Sequence, residues 1–258
     1  MKWLAIALLV ACASKKAAIV EDKHDPIVVV RDAAPVKSLL WESQQLITAV
    51  PDTWTATAVQ LQLWERAPGE TWHRTGDAWP AIIGGTGSAW GIGLHGDGKD
   101  HNGPHKVEGD RKSPAGAFAL RGIYGYAVAA PDVKLPYTPS IETTKCVDDP
   151  ASQHYASIVG EDVKKDWVSA EDMHRKDAMY TWVVDVAHNP KRVPGDGSCI
   201  FLHVWKDEAT PTVGCTAMAE PQLHSVIEWL DPAKKPVYVL LPRDEYTALA
   251  TAWGLPPI

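Results

Sequence analysis

Residues 58–65, Ala58-Val59-Gln60-Leu61-Gln62-Leu63-Trp64-Glu65, alternate polar and apolar side chains over most of their length. Successive side chains of a strand point to opposite faces of its sheet, so this period of two predicts a half-buried antiparallel strand. Further strand-like runs lie between turn residues, at 44–50, 79–83, 182–186, 198–204 and 236–241. These runs indicate that strands form most of the folded chain.

The clearest helical signals lie near the C-terminus. Pro221 suits a first helical turn, and apolar residues recur at 223, 226, 227 and 230, which is the spacing of one helical face. A second helix is predicted over residues 244–253, and the charged stretch 156–180 is a weaker candidate for further helix. Because strands and helices do not alternate, a parallel sheet is not expected. The predicted fold is mainly β (α+β), a two-sheet β-sandwich or barrel-like domain with inserted helices.

Length and charge narrow the functional classes. The 258 residues are enough for a domain with a well-buried core. Their net charge of -7 disfavours nucleic-acid binding, which usually needs a basic surplus, and also a polybasic membrane patch. No nucleic-acid partner is therefore expected.

The N-terminus resembles the signal of an exported bacterial lipoprotein. Lys2 is followed by a short apolar run that ends in Leu9-Val10-Ala11-Cys12, which is similar to a lipobox. The resemblance implies that residues 1–11 are a signal peptide and that Cys12 is lipidated, with residues 12–40 as a flexible tether and 41–258 as the folded domain. The protein would be exported and anchored to a membrane, facing the periplasm or the cell wall. An ordinary secretory signal with a chance cysteine is the alternative.

Cys215 is the candidate nucleophile. It lies in Pro211-Thr212-Val213-Gly214-Cys215-Thr216, interpreted as a turn immediately before a helix. A helix N-terminus lowers the pKa of a thiol, and the backbone N–H groups of 214–216 could face a developing oxyanion. A thiolate nucleophile needs a base, and His203 lies twelve positions upstream, at the end of an apolar strand.

These residues resemble the L,D-transpeptidase family of peptidoglycan enzymes, which has the YkuD-type catalytic domain. That family has a histidine at a strand end and then a Ser/Thr-x-Gly-Cys element, here His203 and 212–215. Residues 106–116 are similar to its Glu-Gly-Asp turn, which precedes a core strand. The resemblance spans about residues 43–242. This chain departs from the pattern at Val213, Val204 and Ala217, and the polar groups missing at Val213 and Ala217 could otherwise contact substrate or tune the thiolate.

The resemblance implies a two-step acyl transfer without metal or cofactor. Cys215 attacks the L,D peptide bond of a donor stem peptide, a D-residue leaves, and an acceptor amine resolves the thioester. His203 moves the proton, the carbonyl of Val204 orients its ring, and Gly214 allows close approach of the backbone. Substrate contacts are expected from Thr212, Val213, Thr216 and His188, although a plain turn is the alternative for His188. The partners would be peptidoglycan stem peptides, bound by a monomer.

Several alternatives remain open at this stage. Water could resolve the thioester, which would make the protein an L,D-carboxypeptidase on the same fold. A catalytically silent wall-binding lipoprotein would need neither Cys215 nor His203. Papain-like and NlpC-like peptidases usually place the cysteine before the histidine, in the opposite order to this chain. His95, His101 and His105 could be called a metal site, but a solvated loop is the preferred interpretation because no metal-binding helical spacing is present.

Two cysteines remain once Cys12 is assigned to lipid and Cys215 to catalysis. Cys146 opens a loop that lies beside the active site in the resembling branch of the family, and Cys199 is interpreted as sharing a strand face with His203. In an oxidising compartment this pair predicts a Cys146–Cys199 disulfide. Two buried free thiols are the alternative.

Overall fold

The computed structural model describes residues 37–130 and 132–258. Thirteen strands and two α-helices are formed in these ranges, with a short 3₁₀ helix at Pro232–Lys234. The strands are β1 Gln45–Ala49, β2 Ala58–Glu65, β3 His73–Ile82, β4 Ser88–Trp90, β5 Ser113–Gly125, β6 Tyr137–Pro139, β7 Lys145–Val147, β8 Ser157–Val159, β9 Ala170–Asp172, β10 Trp182–Val186, β11 Phe201–Val204, β12 Thr216–Met218 and β13 Val237–Leu240. The helices are α1 Glu220–Trp229 and α2 Arg243–Trp253.

The main sheet closes on itself. Its strands follow the order β10-β11-β12-β3-β2-β1-β13-β5, and β5 then pairs with β10. The long strand β5 makes this closure possible, because its first half pairs with β13 and its second half with β10. Strands β4 and β6 add to β5 on the outside of this path, and β8, β7 and β9 form a separate three-stranded sheet. The mainly β prediction is confirmed, with a closed barrel and a small second sheet.

The core lies inside the barrel and beneath α1. Leu61, Phe118, Leu202 and Met218 from four strands are buried together with apolar residues of the helix. Helix α1 buries the face expected from its spacing, and α2 ends at Gly254 in a left-handed conformation, as a C-terminal glycine allows. Burial of apolar surface on this scale is the main force that holds the barrel closed.

Three expectations about the fold need correction. Strand β2 alternates only at its start, because its second half is buried on both faces. The sheet is mixed: it also contains parallel pairs, among them β1 with β13 and β11 with β12, which the lack of strand–helix alternation did not predict. Residues 156–180 contain β8 and β9 rather than a helix. These strands have only three residues each, which is too short to show a period in the sequence.

The folded part begins before the predicted end of the tether. The backbone N–H groups of Leu39 and Leu40 donate to the carbonyls of Ala252 and Trp253, and Leu40 is fully buried. The predicted signal peptide, Cys12 and the tether as far as residue 36 lie outside the described residues. Within the described ranges, no helix is long and apolar enough to cross a membrane.

Candidate active site

Cys215 lies in a tight turn directly before β12. The Thr212 hydroxyl and the Ser113 hydroxyl both donate to the Cys215 carbonyl oxygen, at 2.6 and 2.9 Å. Gly214 has a φ of 151°, and a Cβ added there would lie 3.1 Å from the Lys112 carbonyl oxygen. The turn is therefore fixed from both sides, and glycine is needed where it packs on the segment that precedes β5.

The prediction that a helix N-terminus lowers the pKa of Cys215 is wrong. Strand β12 follows the cysteine, and α1 begins only at Glu220, so no helix N-terminus points at the sulfur. Burial, reinforced by the nearby Glu171 carboxyl, instead raises the pKa of Cys215 above its usual value. The Gly214 N–H donates to the Thr212 hydroxyl at 3.1 Å, so it does not face an oxyanion. At rest Cys215 is a protonated thiol that needs a base.

His203 has the properties of that base. Its Nδ1 lies 2.7 Å from the Val204 carbonyl oxygen, so Nδ1–H donates there and Nε2 is left as the proton acceptor. Burial lowers the pKa of His203 to about 4. The imidazole is therefore neutral near pH 7. The orienting contact expected from Val204 is present.

The barrel brings His203 and Cys215 to one face. Strands β11 and β12 are parallel neighbours, and His203 is paired with Ala217. Cys215 lies two residues before Ala217, in the turn that leads into β12. Both side chains line one cavity of about 180 Å³, called here the His203 cavity. Its other walls include Ile82, Glu171, Arg175, Met179, Tyr180, Trp205, Thr212 and Val213.

Tyr180 and Glu171 connect the small sheet to the two catalytic candidates. The Tyr180 hydroxyl donates to Glu171 Oε1 at 2.5 Å, and its ring packs edge-on against the His203 ring, with centroids 5.0 Å apart. Burial raises the pKa of Glu171 and of Tyr180. Arg175 lies 3.7 Å from Glu171 and over the Tyr180 ring. Their place in the site could not be predicted from the sequence, because these residues lie in the stretch considered for helix and carry no catalytic motif.

The Glu-Gly-Asp turn is a structural element beside the nucleophile. Asp110 accepts hydrogen bonds from the backbone N–H groups of Val107 and Lys112 and pairs with the buried Lys106 amine at 2.5 Å. Gly109 has a φ of 75°, as expected for a glycine in this turn. Glu108 accepts hydrogen bonds from Tyr155 and Ser198, which tie the turn to neighbouring loops.

A second cavity of about 410 Å³ also reaches Cys215. We call it the Arg111 cavity, and its walls include Lys106, Glu108, Arg111, Asp148, Glu171, Ser198, Cys199, Val213, Gly214 and Cys215. Glu171, Val213 and Cys215 line both cavities. Cys215 therefore lines two separate cavities.

The predicted disulfide is present, with the Cys146 and Cys199 Cα atoms 5.9 Å apart. Cys199 was expected to share a strand face with His203, and this expectation is wrong. Cys199 has a φ of 53° and lies before β11, which contains His203. The bond joins β7 of the small sheet to the loop before β11. The Cys199 carbonyl oxygen also accepts from the Cys215 thiol at 3.5 Å. The disulfide therefore helps to fix the Cys199 carbonyl oxygen, which accepts a hydrogen bond from the Cys215 thiol.

The expected substrate contacts divide into two groups. Val213 is 68% exposed and lines both cavities, and Thr212 lines the His203 cavity while its hydroxyl holds the turn. Thr216 is 2% exposed, and its hydroxyl is bonded to the Tyr238 hydroxyl in the core, so it does not face substrate.

His188 is a structural residue. Its Nδ1 accepts from the Ile92 N–H at 3.3 Å, and its Nε2 lies 3.0 Å from the Asp196 carbonyl oxygen. Burial lowers the pKa of His188 to about 3. Both ring nitrogens are used by the backbone, and the ring lines neither cavity at Cys215. The expected substrate contact is therefore replaced by a role in holding loops together.

The loop histidines are separate from the nucleophile. His95 is half-buried beside Gly116, with its Nε2 3.0 Å from the Gly91 carbonyl oxygen, and His101 stacks on Trp90. No group of three or more His, Cys, Asp or Glu side chains in the described part of the chain is arranged to hold a metal ion.

Comparison with known proteins adds no family assignment. No protein-family model matches the chain, and a search of curated proteins finds no significant match.

Proposed function

We propose that this protein is a peptidoglycan L,D-transpeptidase, a cysteine acyltransferase that uses Cys215 and His203. The observation that carries the proposal is that both side chains line one cavity. The parallel pair β11–β12 places the thiol and a neutral imidazole on one face, and the Val204 carbonyl leaves Nε2 free to accept a proton. A catalytically silent wall-binding protein would have no use for this arrangement.

In the acylation step His203 Nε2 takes the Cys215 proton, and the sulfur attacks the carbonyl carbon of the L,D peptide bond. The carbon–sulfur bond forms, the carbon–nitrogen bond breaks, and His203 donates the proton to the leaving amine of the D-residue. The raised pKa of Cys215 and the lowered pKa of His203 mean that the pair rests as thiol and imidazole. The thiolate then forms as substrate binds.

The second cavity favours transfer to an amine over hydrolysis. A transpeptidase must admit two substrates to one sulfur, and the His203 and Arg111 cavities meet at Cys215. We assign the His203 cavity to the donor stem peptide and the Arg111 cavity to the acceptor. The exposed Val213 side chain, which lines both, is available to contact either peptide.

The disulfide supports an exported enzyme. Disulfides persist in oxidising compartments outside the cytoplasm, and Cys146 is bonded to Cys199 here. The proposal includes lipid attachment at Cys12, by which the tether holds a monomeric catalytic domain to a membrane beside its peptidoglycan substrate.

Digestion of purified sacculi tests the proposed function. Wild-type protein is incubated with muropeptides that end in a D-residue, and mass spectrometry quantifies new cross-linked dimers and trimmed monomers. We expect dimers from the wild type and no product from Cys215→Ala. Trimmed monomers alone would identify an L,D-carboxypeptidase, and no product at all would exclude both activities.

The matched control separates loss of the base from loss of the fold. We expect His203→Ala to reduce turnover by about a hundredfold or more, as for loss of a general base. His224→Ala changes a half-exposed histidine on α1, away from the two cavities, and we expect wild-type turnover. Equal losses in both variants would contradict the role of His203.

A further inference from the structure

The disulfide can be reached from a cavity that Cys215 does not line. This third cavity has a volume of about 280 Å³ and is called here the Arg192 cavity. Its walls include Arg121, Cys146, Asp185, Arg192 and Cys199. Cys146 is buried, whereas Cys199 is half-buried and also lines the Arg111 cavity. Cys199 is therefore shared between the Arg192 cavity and the space at the nucleophile.

One positive charge in the Arg192 cavity has no partner. Arg121 donates to both carboxylate oxygens of Asp185, at 2.7 and 2.8 Å, so these two charges neutralise each other. His188 also lines the cavity, but burial lowers its pKa to about 3, and the ring is neutral near pH 7. Within the described ranges, the exposed Arg192 guanidinium has no ion pair and no hydrogen bond. An unpaired cation is thus placed in the same cavity as a disulfide.

The position of Arg192 depends on its turn and not on its side chain. Its backbone N–H donates to the Asn189 carbonyl oxygen at 2.8 Å. The Asn189 side chain then fixes the end of the turn, because it accepts from the Val193 N–H at 2.8 Å and donates to the Val193 carbonyl oxygen at 2.9 Å. Arg192 has a φ of 56°, where glycine or asparagine is better tolerated. The turn does not require an arginine, which leaves the guanidinium available to a ligand.

We propose that the Arg192 cavity binds a small thiol that carries a carboxylate, and that this thiol opens the disulfide by exchange at Cys199. The carboxylate pairs with Arg192 through charge-assisted hydrogen bonds. Cys199 is the site of attack because it is the more exposed of the two cysteines. The exchange needs only the cavity and the disulfide, so this inference goes beyond the proposed function and does not depend on it.

The exchange balances with the thiol as the only co-reactant. The thiol loses its proton to solvent, and the thiolate attacks Cys199 Sγ. A new sulfur–sulfur bond forms as the Cys146–Cys199 bond breaks. The bonding pair goes to Cys146 Sγ, which takes a proton from solvent. The products are a mixed disulfide at Cys199 and a free Cys146 thiol, and attack by Cys146 on the mixed disulfide reverses the step.

Opening the bond would release two constraints on the nucleophile. The Cys199 carbonyl oxygen accepts from the Cys215 thiol at 3.5 Å, and the disulfide helps to hold it there. Cys146 lies in β7, where it is paired with Glu171 of β9, and Glu171 lines both cavities at Cys215. Acyl transfer by Cys215 should therefore slow when the mixed disulfide forms.

Two short thiols of opposite charge test the site. The folded protein reacts with 3-mercaptopropionate or with cysteamine at low salt, and acidic urea with N-ethylmaleimide stops the reaction. Intact mass then gives the rate at which the disulfide opens. Each rate is divided by the thiolate concentration, because the two thiols differ in pKa. The same protein unfolded in urea supplies the intrinsic ratio of the two rates.

We expect the folded wild type to favour 3-mercaptopropionate by about tenfold over the intrinsic ratio, because Arg192 attracts one thiol and repels the other. Peptide mapping should locate the adduct on Cys199. Arg192→Asn should lose most of this preference, and thermal unfolding checks that this variant is folded. The matched control is Lys191→Gln, which removes an exposed cation next to Arg192 that does not line the cavity, and it should keep the preference.

Two results would overturn the thiol site. One is a folded protein whose ratio equals that of the unfolded protein. The other is an Arg192→Asn ratio equal to that of the wild type. Both ratios are measured without a peptidoglycan substrate, so they decide on the site even if the proposed function fails.

Turnover on muropeptides tests the effect on the nucleophile separately. We expect the opened fraction of the wild type to turn over about fivefold more slowly, which corresponds to the loss of one hydrogen bond. In the double variant Cys146→Ala, Cys199→Ala, 3-mercaptopropionate should not change turnover. Wild-type turnover that is independent of the opened fraction would overturn the control of Cys215. A wild type without any turnover would contradict the proposed function and leave the exchange rates as the test of the site.

Discussion

Loss of the Cys146–Cys199 bond is expected to destabilise the folded chain by about 4 kcal/mol in the double variant Cys146→Ala, Cys199→Ala. The bond spans 53 positions. In the chain-entropy relation a loop of this size restricts the unfolded chain by about 14 cal/mol/K, which is about 4 kcal/mol at room temperature. The effect also reaches the site, because the bond fixes the Cys199 carbonyl that accepts from the Cys215 thiol.

Urea unfolding followed by tryptophan fluorescence measures this loss. With a slope of about 2 kcal/mol/M, the midpoint of the double variant should fall by about 2 M. Cys215→Ala is the matched control, since it removes a buried cysteine and keeps the disulfide, and its midpoint should stay within about 0.5 M of the wild type. A loss below about 1 kcal/mol in the double variant would refute the loop-closure reasoning.

Three further predictions concern the site. Burial lowers the pKa of His203 to about 4, and the neutral imidazole is the reactive form. We therefore expect kcat/KM to stay constant down to about pH 5 and to fall as the pH drops through about 4. A fall in kcat/KM at the ordinary histidine pKa, near 6.5, would contradict this. Tyr180→Phe keeps the aromatic ring against His203 but removes the hydroxyl group bonded to Glu171. We expect the free energy of unfolding, measured in urea, to fall by about 1–3 kcal/mol. An unchanged urea midpoint would contradict a stabilising role for that hydrogen bond. We expect turnover to be unchanged by EDTA. Loss of turnover in EDTA would contradict the interpretation of His95, His101 and His105 as loop residues without a metal.

The sequence predicted the parts of the fold that depend on local pattern. Period two in β2, the apolar face of α1 and the glycine after α2 are properties of neighbouring residues. Closure of the barrel is not local, because it depends on one long strand, β5, bonding to β13 and β10 along different halves. The three-residue strands of the small sheet were also missed, as they are stabilised by their neighbours and by the disulfide.

The same division holds for the candidate site. Cys215, His203 and the Val204 carbonyl follow from short motifs, whereas Tyr180 and Glu171 reach them from a sheet that the sequence does not reveal. The state of the thiol also depends on packing. A turn before a helix would have lowered the pKa of Cys215, but the helix starts later and burial raises it.

The proposed mechanism requires that Cys215 forms a thioester. The most direct measurement is the intact mass of the protein after incubation with a carbapenem, which mimics the donor acyl group, followed by peptide mapping. We expect one adduct of the mass of the antibiotic, located on Cys215, in the wild type and none in Cys215→Ala. An unmodified wild type, or an adduct of equal yield in Cys215→Ala, would contradict it.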